Sequence, residues 1–218
     1  MLVKDYMTRH PLMAEPTMSA VEAQRYMGEN NVRRMPIVGD GKRLLGLVTR
    51  QNLLVDPGRL GSLNMWEIAG YLSKVTVKDV MIKAKDVITI GPDTTLEEAA
   101  RVMVERRVGC LPVLEDGIMV GIITETDLLA HLMQMMAAPV SGTRVTIRMS
   151  NYKPGELAKL VAAIAAEGWG IQALGGSVAP KDLDKWDAVV KISDAPRDQV
   201  VAALSKVEGQ QIIDVREV

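Results

Sequence analysis

The stretch PTMSAVEAQRYMGENNVRRMPIV at residues 16–38 lies on PDTTLEEAARVMVERRVGCLPVL at residues 92–114 with a constant offset of 76 and eight identical positions. The match extends outward in both directions. VKDYM at 3–7 answers VKDVM at 77–81, and GLVTRQNLL at 46–54 answers GIITETDLL at 121–129. Length changes fall in the MTRHPL/MIKAKDVI segment and at the GDGKRL/EDGIM turn, where loops tolerate them. A duplicated unit therefore organises the chain to about residue 136.

Each unit predicts the order β-α-β-β-α. A short extended segment comes first, Leu12 to Ala14 and Val87 to Ile90. Ser19 and Thr95 are helix N-caps, and Glu22 and Glu98 three residues on complete capping boxes. The first helix carries Ala23, Tyr26 and Met27 on one face, its counterpart Ala99, Val102 and Met103. The strands MPIV and LPVL follow, then a turn, the strands LLGLVT and MVGIIT, and a last helix from near Gln51 or Thr126. One unit has too few strands to bury its own sheet. Two units related by a pseudo-twofold pack together and leave matched clefts, so residues 1–57 and 77–136 form one body, with a connecting helix or linker at 58–76.

After Met136 the pattern changes. Residues 137–142, AAPVSG, are a small-residue linker. From 143 to 218 the chain reads strand (TRVTIRMS), helix (PGELAKLVAAIAAEG, apolar stripe Leu157, Leu160, Val161 and Ile164), two strands (GIQALGGSV, WDAVVKIS), helix (RDQVVAALSKVEG) and strand (QIIDVREV). That is βαββαβ, the ferredoxin-like order. The fold class is α/β (α+β) in two domains.

Composition narrows function. An apolar content of 48% over 218 residues allows a substantial core, and 26 basic against 27 acidic residues give no drive toward nucleic acid. One cysteine, Cys110, excludes an internal disulfide, and its apolar setting makes it a core side chain. Two histidines and one cysteine are too few for a zinc site, so no metal is expected. No apolar run has the length of a membrane helix and no signal peptide is evident, so a cytoplasmic protein is expected. HExxH, Gly-x-Ser-x-Gly and P-loop motifs are absent, and no catalytic residues or catalytic cofactor are expected.

The chemistry concentrates in Gly121-Ile122-Ile123-Thr124-Glu125-Thr126-Asp127, where a strand end runs into a helix start. Free backbone N–H groups and the helix dipole favour an anion there. Thr124 can donate to a phosphate, and a carboxylate such as Asp127 can accept both hydroxyls of a ribose diol. Equally, Thr124 can cap the helix with Asp127 in its first turn.

The paired units, with VKDVM, VGCLPV and GIITETD, resemble CBS repeats, two of which form a Bateman module. The resemblance covers about 130 residues. It implies a regulatory site for an adenosine compound: AMP, ADP, ATP, NAD or S-adenosylmethionine. Carried over by position, one cleft uses Leu12, Met13, Val32, Arg33, Arg34, Met35 and Pro36 with Thr124 and Asp127. Its mate uses Ile88, Thr89, Val108, Gly109, Leu111 and Pro112 with Thr49 and Asn52. Asn52 departs from the pattern's Asp, and an uncharged amide with one acceptor oxygen grips a ribose less well. Gly109-Cys110 stands where the first cleft has Arg33-Arg34, so the second cleft is the weaker. Arg33 and Arg34 follow a helix C-terminus, where cations are favourable; at least one is solvated or paired with the helix end, and the other is open to a phosphate or to the same bland role.

Residues 143–218 resemble an ACT domain through Asn151-Tyr152-Lys153-Pro154-Gly155-Glu156-Leu157-Ala158 and Gly168-Trp169-Gly170-Ile171. This resemblance implies either an amino-acid site at Asn151, Pro154, Gly155, Glu156 and Leu157 or a dimerisation module. A CBS pair followed by an ACT domain resembles the acetoin-utilisation AcuB class. The expectation is a homodimeric ligand sensor acting on a target protein not identified by its sequence. The alternatives are a ligand-free scaffold and an unfamiliar enzyme acting on an adenosine compound. Leu128 to Met136, LLAHLMQMM, is either a contact surface or core.

Overall fold

The structure is a computed structural model and describes residues 1–53 and 74–218. The predicted connecting segment at 58–76 lies outside the described residues up to 73, as does the first repeat's last helix beyond Leu53. The chain forms two compact units, Met1–Leu128 and Leu129–Val218.

The first unit holds both repeats. The first contributes α1 (Val3–Tyr6), β1 (Thr8–Arg9), α2 (Ala20–Glu29), β2 (Arg34–Val38) and β3 (Leu44–Thr49). The second contributes α3 (Val77–Val80), β4 (Ile82–Lys83), α4 (Leu96–Arg106), β5 (Cys110–Glu115), β6 (Ile118–Thr124) and the start of α5 (Glu125–Met135). The expected extended segments are single parallel bridges, Ala14 to Ile37 and Ile90 to Val113.

The two sheets are completed by exchange. β1 pairs with β6, Thr8 opposite Ile122, while β4 pairs with β3, Leu47 opposite Ile82. Each three-stranded sheet thus combines one repeat's hairpin with the other's leading segment. The cores follow the same rule. Val3 packs with Leu96, Ala99, Met103 and Leu111 of the second repeat, and Val77 with Ala23, Met27, Met35 and Val48 of the first. Backbone bonds fix both ends: Val3 N–H donates to the Thr94 carbonyl at 2.8 Å and Val77 N–H to the Met18 carbonyl at 2.9 Å. Leu47, Cys110, Met119 and Ile122 fill the seam between repeats. Cys110 is 3% exposed, and burial pushes its thiol up to about 11, so it is a core side chain.

The N-caps form as the sequence predicts, but only by half. Ser19 Oγ accepts from Glu22 N–H at 3.1 Å and Thr95 Oγ1 from Glu98 N–H at 3.2 Å. The Glu98 carboxylate turns to Arg101 at 2.6 and 2.9 Å instead of closing its box. A charged partner one turn along is the stronger acceptor-donor match.

The second unit comprises β7 (Thr143–Ser150), α6 (Glu156–Ala166), β8 (Gly170–Ala179), β9 (Asp182–Ser193), α7 (Arg197–Leu204) and β10 (Gln211–Glu217). Its four strands are antiparallel in the order β10-β7-β9-β8. Val145, Ile147, Leu160, Ile164, Val190, Val200 and Leu204 form the core. Leu157, expected in the apolar stripe, is 37% exposed. Gly155 takes a left-handed conformation (φ 86°), so α6 begins at Glu156 and its core face centres on Leu160 and Ile164.

Gly46 and Gly121 permit the exchange. A Cβ on Gly121 would meet the Met7 sulfur and, at 3.0 Å, the Thr8 carbonyl; one on Gly46 would meet the Ile82 carbonyl and, at 2.6 Å, the Met81 sulfur. Overpacking of this kind costs about 1–3 kcal/mol. Gly46→Ala and Gly121→Ala should each lower stability by that amount in urea unfolding. Gly28→Ala, in α2 with nothing within 4 Å of the added carbon, should leave stability unchanged or raise it. Equal stabilities for all three would show that the exchanged strands do not depend on the glycines.

Candidate functional site

The site starts where β6 becomes α5. Thr124 N–H and Oγ1–H both donate to Asp127 Oδ2, at 2.8 and 2.7 Å, and Asp127 N–H donates back to Thr124 Oγ1 at 3.3 Å. This is a reciprocal capping box. The first repeat builds the same box: Thr49 N–H and Oγ1–H donate to Asn52 Oδ1 at 3.1 and 2.6 Å, and Asn52 N–H returns to Thr49 Oγ1 at 3.2 Å. One oxygen suffices for the cap in each case. Asp127 then retains Oδ1, which accepts no hydrogen bond among the described residues, whereas Asn52 has only an NH₂ donor left.

A cavity of about 410 Å³ opens beside the Thr124–Asp127 turn. It gathers Leu12, Val32, Arg33, Arg34, Thr124 and Asp127, all expected from the sequence, from separate parts of both repeats. Thr8, Pro11, Asn31, Glu125 and Thr126 also line it. Thr8 and Pro11 arrive through the strand exchange, which leaves no periodic signal in so short a segment. Met13, Met35 and Pro36 do not line it. Met13 packs into the seam, Met35 points into the first repeat's core, and Pro36 is buried in β2. Side chains alternate along a strand, so the residue after Arg34 faces the opposite way.

The two arginines differ. Arg33 is exposed, and its guanidinium has no ion pair or hydrogen bond among the described residues. Arg34 is half-buried, and its Nη1 donates to the Gly109 carbonyl at 3.0 Å.

A second cavity, of about 230 Å³, holds Thr49, Ile88, Val108 and Gly109 of the predicted mate, together with Arg34. Thr89 lines a different hollow with Arg43 and Leu44, Leu111 is in the second repeat's core, and Pro112 is buried in β5. Asn52 is not in the lining, and its carbonyl oxygen is turned to Thr49.

In the second unit Asn151 donates to the Leu183 carbonyl at 3.2 Å. Pro154 is exposed, as is Leu157. Glu156 is 3% exposed and contacts Lys159 at 2.9 Å and Lys153 at 3.7 Å. The Lys159 hydrogen bond, ahead of the charges of Lys159 and Lys153, holds its carboxyl below the usual range. The start of α6 thus already carries a carboxylate of its own beside Gly155.

The CBS domain matches residues 3–55 and 77–134, and the chain belongs to the CBS-domain family. Protein MJ1225 of Methanocaldococcus jannaschii is 31% identical over 131 residues, 60% of this chain and 46% of that protein. An inosine-5'-monophosphate dehydrogenase of Korarchaeum cryptofilum is 32% identical over 125 residues, 57% of this chain and 23% of that enzyme. The chain thus spans less than half the length of these curated relatives. Among solved structures, one assigned as the acetoin utilization protein AcuB of Vibrio cholerae superposes with a TM-score of 0.53 at 30% identity, over 64% of this chain and 95% of that one. CBSX2 in complex with AMP superposes with a TM-score of 0.51 at 28% identity, over 61% of this chain and 97% of that one. Among the described residues no helix is long and apolar enough to cross a membrane.

The capping box separates two roles of Asp127. Asp127→Ala removes the acceptor half of the box, leaving Thr124 Oγ1 to accept the residue 127 N–H, and should cost about 0.5–2 kcal/mol of stability. Asp127→Asn keeps one carbonyl oxygen, as Asn52 does, and should stay within about 0.5 kcal/mol of the native chain in urea unfolding. An Asn variant as unstable as the Ala variant would contradict the equivalence of the two boxes.

Proposed function

We propose that the chain is a regulatory sensor that binds a phosphorylated adenosine compound, AMP being the first choice, in the larger cleft. The observation that carries this reading is the convergence in one cavity of Asp127, with an uncommitted carboxylate oxygen, and the exposed Arg33. Asp127 Oδ1 accepts from the ribose hydroxyls, the start of α5 faces the phosphate, and Leu12 and Val32 flank the base; Thr124, expected to donate to the phosphate, gives both its donors to Asp127 and holds that carboxylate instead. The exposed guanidinium of Arg33 pairs with the phosphate and favours nucleotides over S-adenosylmethionine. A volume of about 410 Å³ falls within the range of small-molecule sites. The AMP complex of CBSX2 supports the ligand class.

On this reading the chain is not an enzyme, uses no catalytic cofactor, works in the cytoplasm and acts through a target protein. Residues 143–218 are a ferredoxin-like ACT-type domain, supported by the element order and by the strand order β10-β7-β9-β8. We read it as a dimerisation module rather than an amino-acid site, because Glu156 sets its own negative charge where a ligand carboxylate would dock. A homodimer is further supported by Leu129, Leu132, Met133 and Met135 of α5, which are all exposed. The site residues and the boundaries 1–57, 77–136 and 143–218 belong to this proposal.

Calorimetry tests it. AMP should bind the native chain. Asp127→Asn should weaken AMP roughly ten- to a hundredfold, the loss of one charge-assisted hydrogen bond of ~1.5–3 kcal/mol. Arg33→Ala should reduce AMP affinity more than adenosine affinity. No heat with AMP, ADP, ATP, NAD or S-adenosylmethionine would favour a ligand-free scaffold. Equal losses for Asp127→Asn and Asn52→Ala would overturn the choice of cleft.

A further inference from the structure

The second cleft is closed by a side chain of the first. Arg34 leaves β2 at the edge of the larger cavity and reaches across to the Gly109 carbonyl, which also accepts the Glu125 N–H at 3.2 Å. Both lone pairs of that oxygen are therefore taken. The matching carbonyl of the first repeat, on Arg33, accepts the Arg50 N–H at 3.1 Å and nothing else among the described residues. One acceptor thus remains for a ligand's amino group in the larger cleft, and none at the corresponding place in the smaller. Gly109 makes the closure possible. A Cβ there would collide with the Arg34 guanidinium and lie 2.6 Å from Glu125 Oε2. The remaining space, about 230 Å³, is below the range of small-molecule sites, while its walls of Leu47, Ile82, Val87 and Val108 are apolar enough for a planar base.

We propose that Arg34 is a stopper that sets the stoichiometry of the sensor at one adenosine compound per chain, and that the second cleft is a latent site for the same ligand. The inference rests on the nucleotide reading of the larger cleft and goes beyond it in assigning Arg34 away from phosphate. Two separate features keep the second site silent: the guanidinium blocks the base position, and Asn52 lacks a ribose acceptor. The first closes the cleft outright, and the second only lowers its affinity once the guanidinium is gone.

The test is calorimetric stoichiometry on the full chain with adenosine, which carries no phosphate and is blind to any charge lost from the larger cleft. The native chain should take one equivalent. Asn52→Asp alone should still take one, because Arg34 remains in place. Arg34→Ala should take a second, weaker equivalent. Arg34→Ala with Asn52→Asp should take two, the second within roughly tenfold of the first, since a restored charge-assisted bond recovers a loss of about that size or more. Arg34→Met, which keeps the aliphatic stem without the guanidinium, replaces Arg34→Ala if the latter does not fold. Two equivalents in the native chain or in Asn52→Asp, or one in the double variant, would overturn the stopper while leaving the larger cleft as read. No binding by any of the proteins would overturn the nucleotide reading and the stopper with it.

Discussion

The exchange of leading segments holds the first unit together. A two-stranded hairpin such as β2-β3 or β5-β6 is marginal by itself. Each gains its third strand and one core valine from the other repeat. Complete burial of Val3 and Val77 contributes about 1.5–3 kcal/mol apiece, and neither term exists for a repeat alone. The two repeats therefore complete each other in one body. The clefts follow from the same crossing. Thr8 and Pro11 reach the larger cavity because β1 is carried across to β6, so that cavity has walls from both repeats. A ligand there would contact both halves at once.

Duplication fixes the backbone, and chemistry then separates the two halves. The boxes at Thr49–Asn52 and Thr124–Asp127 have nearly the same geometry because a cap needs one acceptor oxygen, which an amide supplies as well as a carboxylate. The positions equivalent to Arg34 and Cys110 diverge further. Cys110 stays in the seam, where it fills space, while Arg34 uses its length to cross to the opposite repeat. The pseudo-twofold is thus kept where packing requires it and broken where a ligand would touch.

Features that repeat along the chain were legible in the sequence. The offset of 76 located both helices, the first strand of each hairpin and the two N-caps, and an offset of 75 located the second strands, because Ser19, Thr95 and their helices obey local rules. The turn around Thr124 and Asp127 stood out by the same logic. Features set by long-range contacts were not legible. β1 and β4 are two residues each, too short for any periodicity, so the exchange left no trace beyond the likeness of VKDYM and VKDVM. The resemblance to CBS repeats carries Met35, Pro36, Leu111 and Pro112 into the clefts by position, yet their side chains are buried in the interior. Nothing in Arg33-Arg34 says which arginine turns to water and which to Gly109. That choice depends on a glycine 75 residues away from Arg34.

On the proposed reading, Asp127 can serve both folding and recognition without conflict. If the cap consumed both carboxylate oxygens, a ligand would have to break it and would bind at the expense of the first turn of α5. Both cap bonds converge on Oδ2, so Oδ1 can accept from a ligand while the helix start stays intact. The acceptor is also preorganised: the cap fixes the side-chain rotamer before any ligand arrives, which reduces the entropy lost on binding. Folding of the strand–helix turn and shaping of the cleft are therefore the same event, and on the proposed reading the carboxylate differs from an amide only in the second oxygen it offers a ligand.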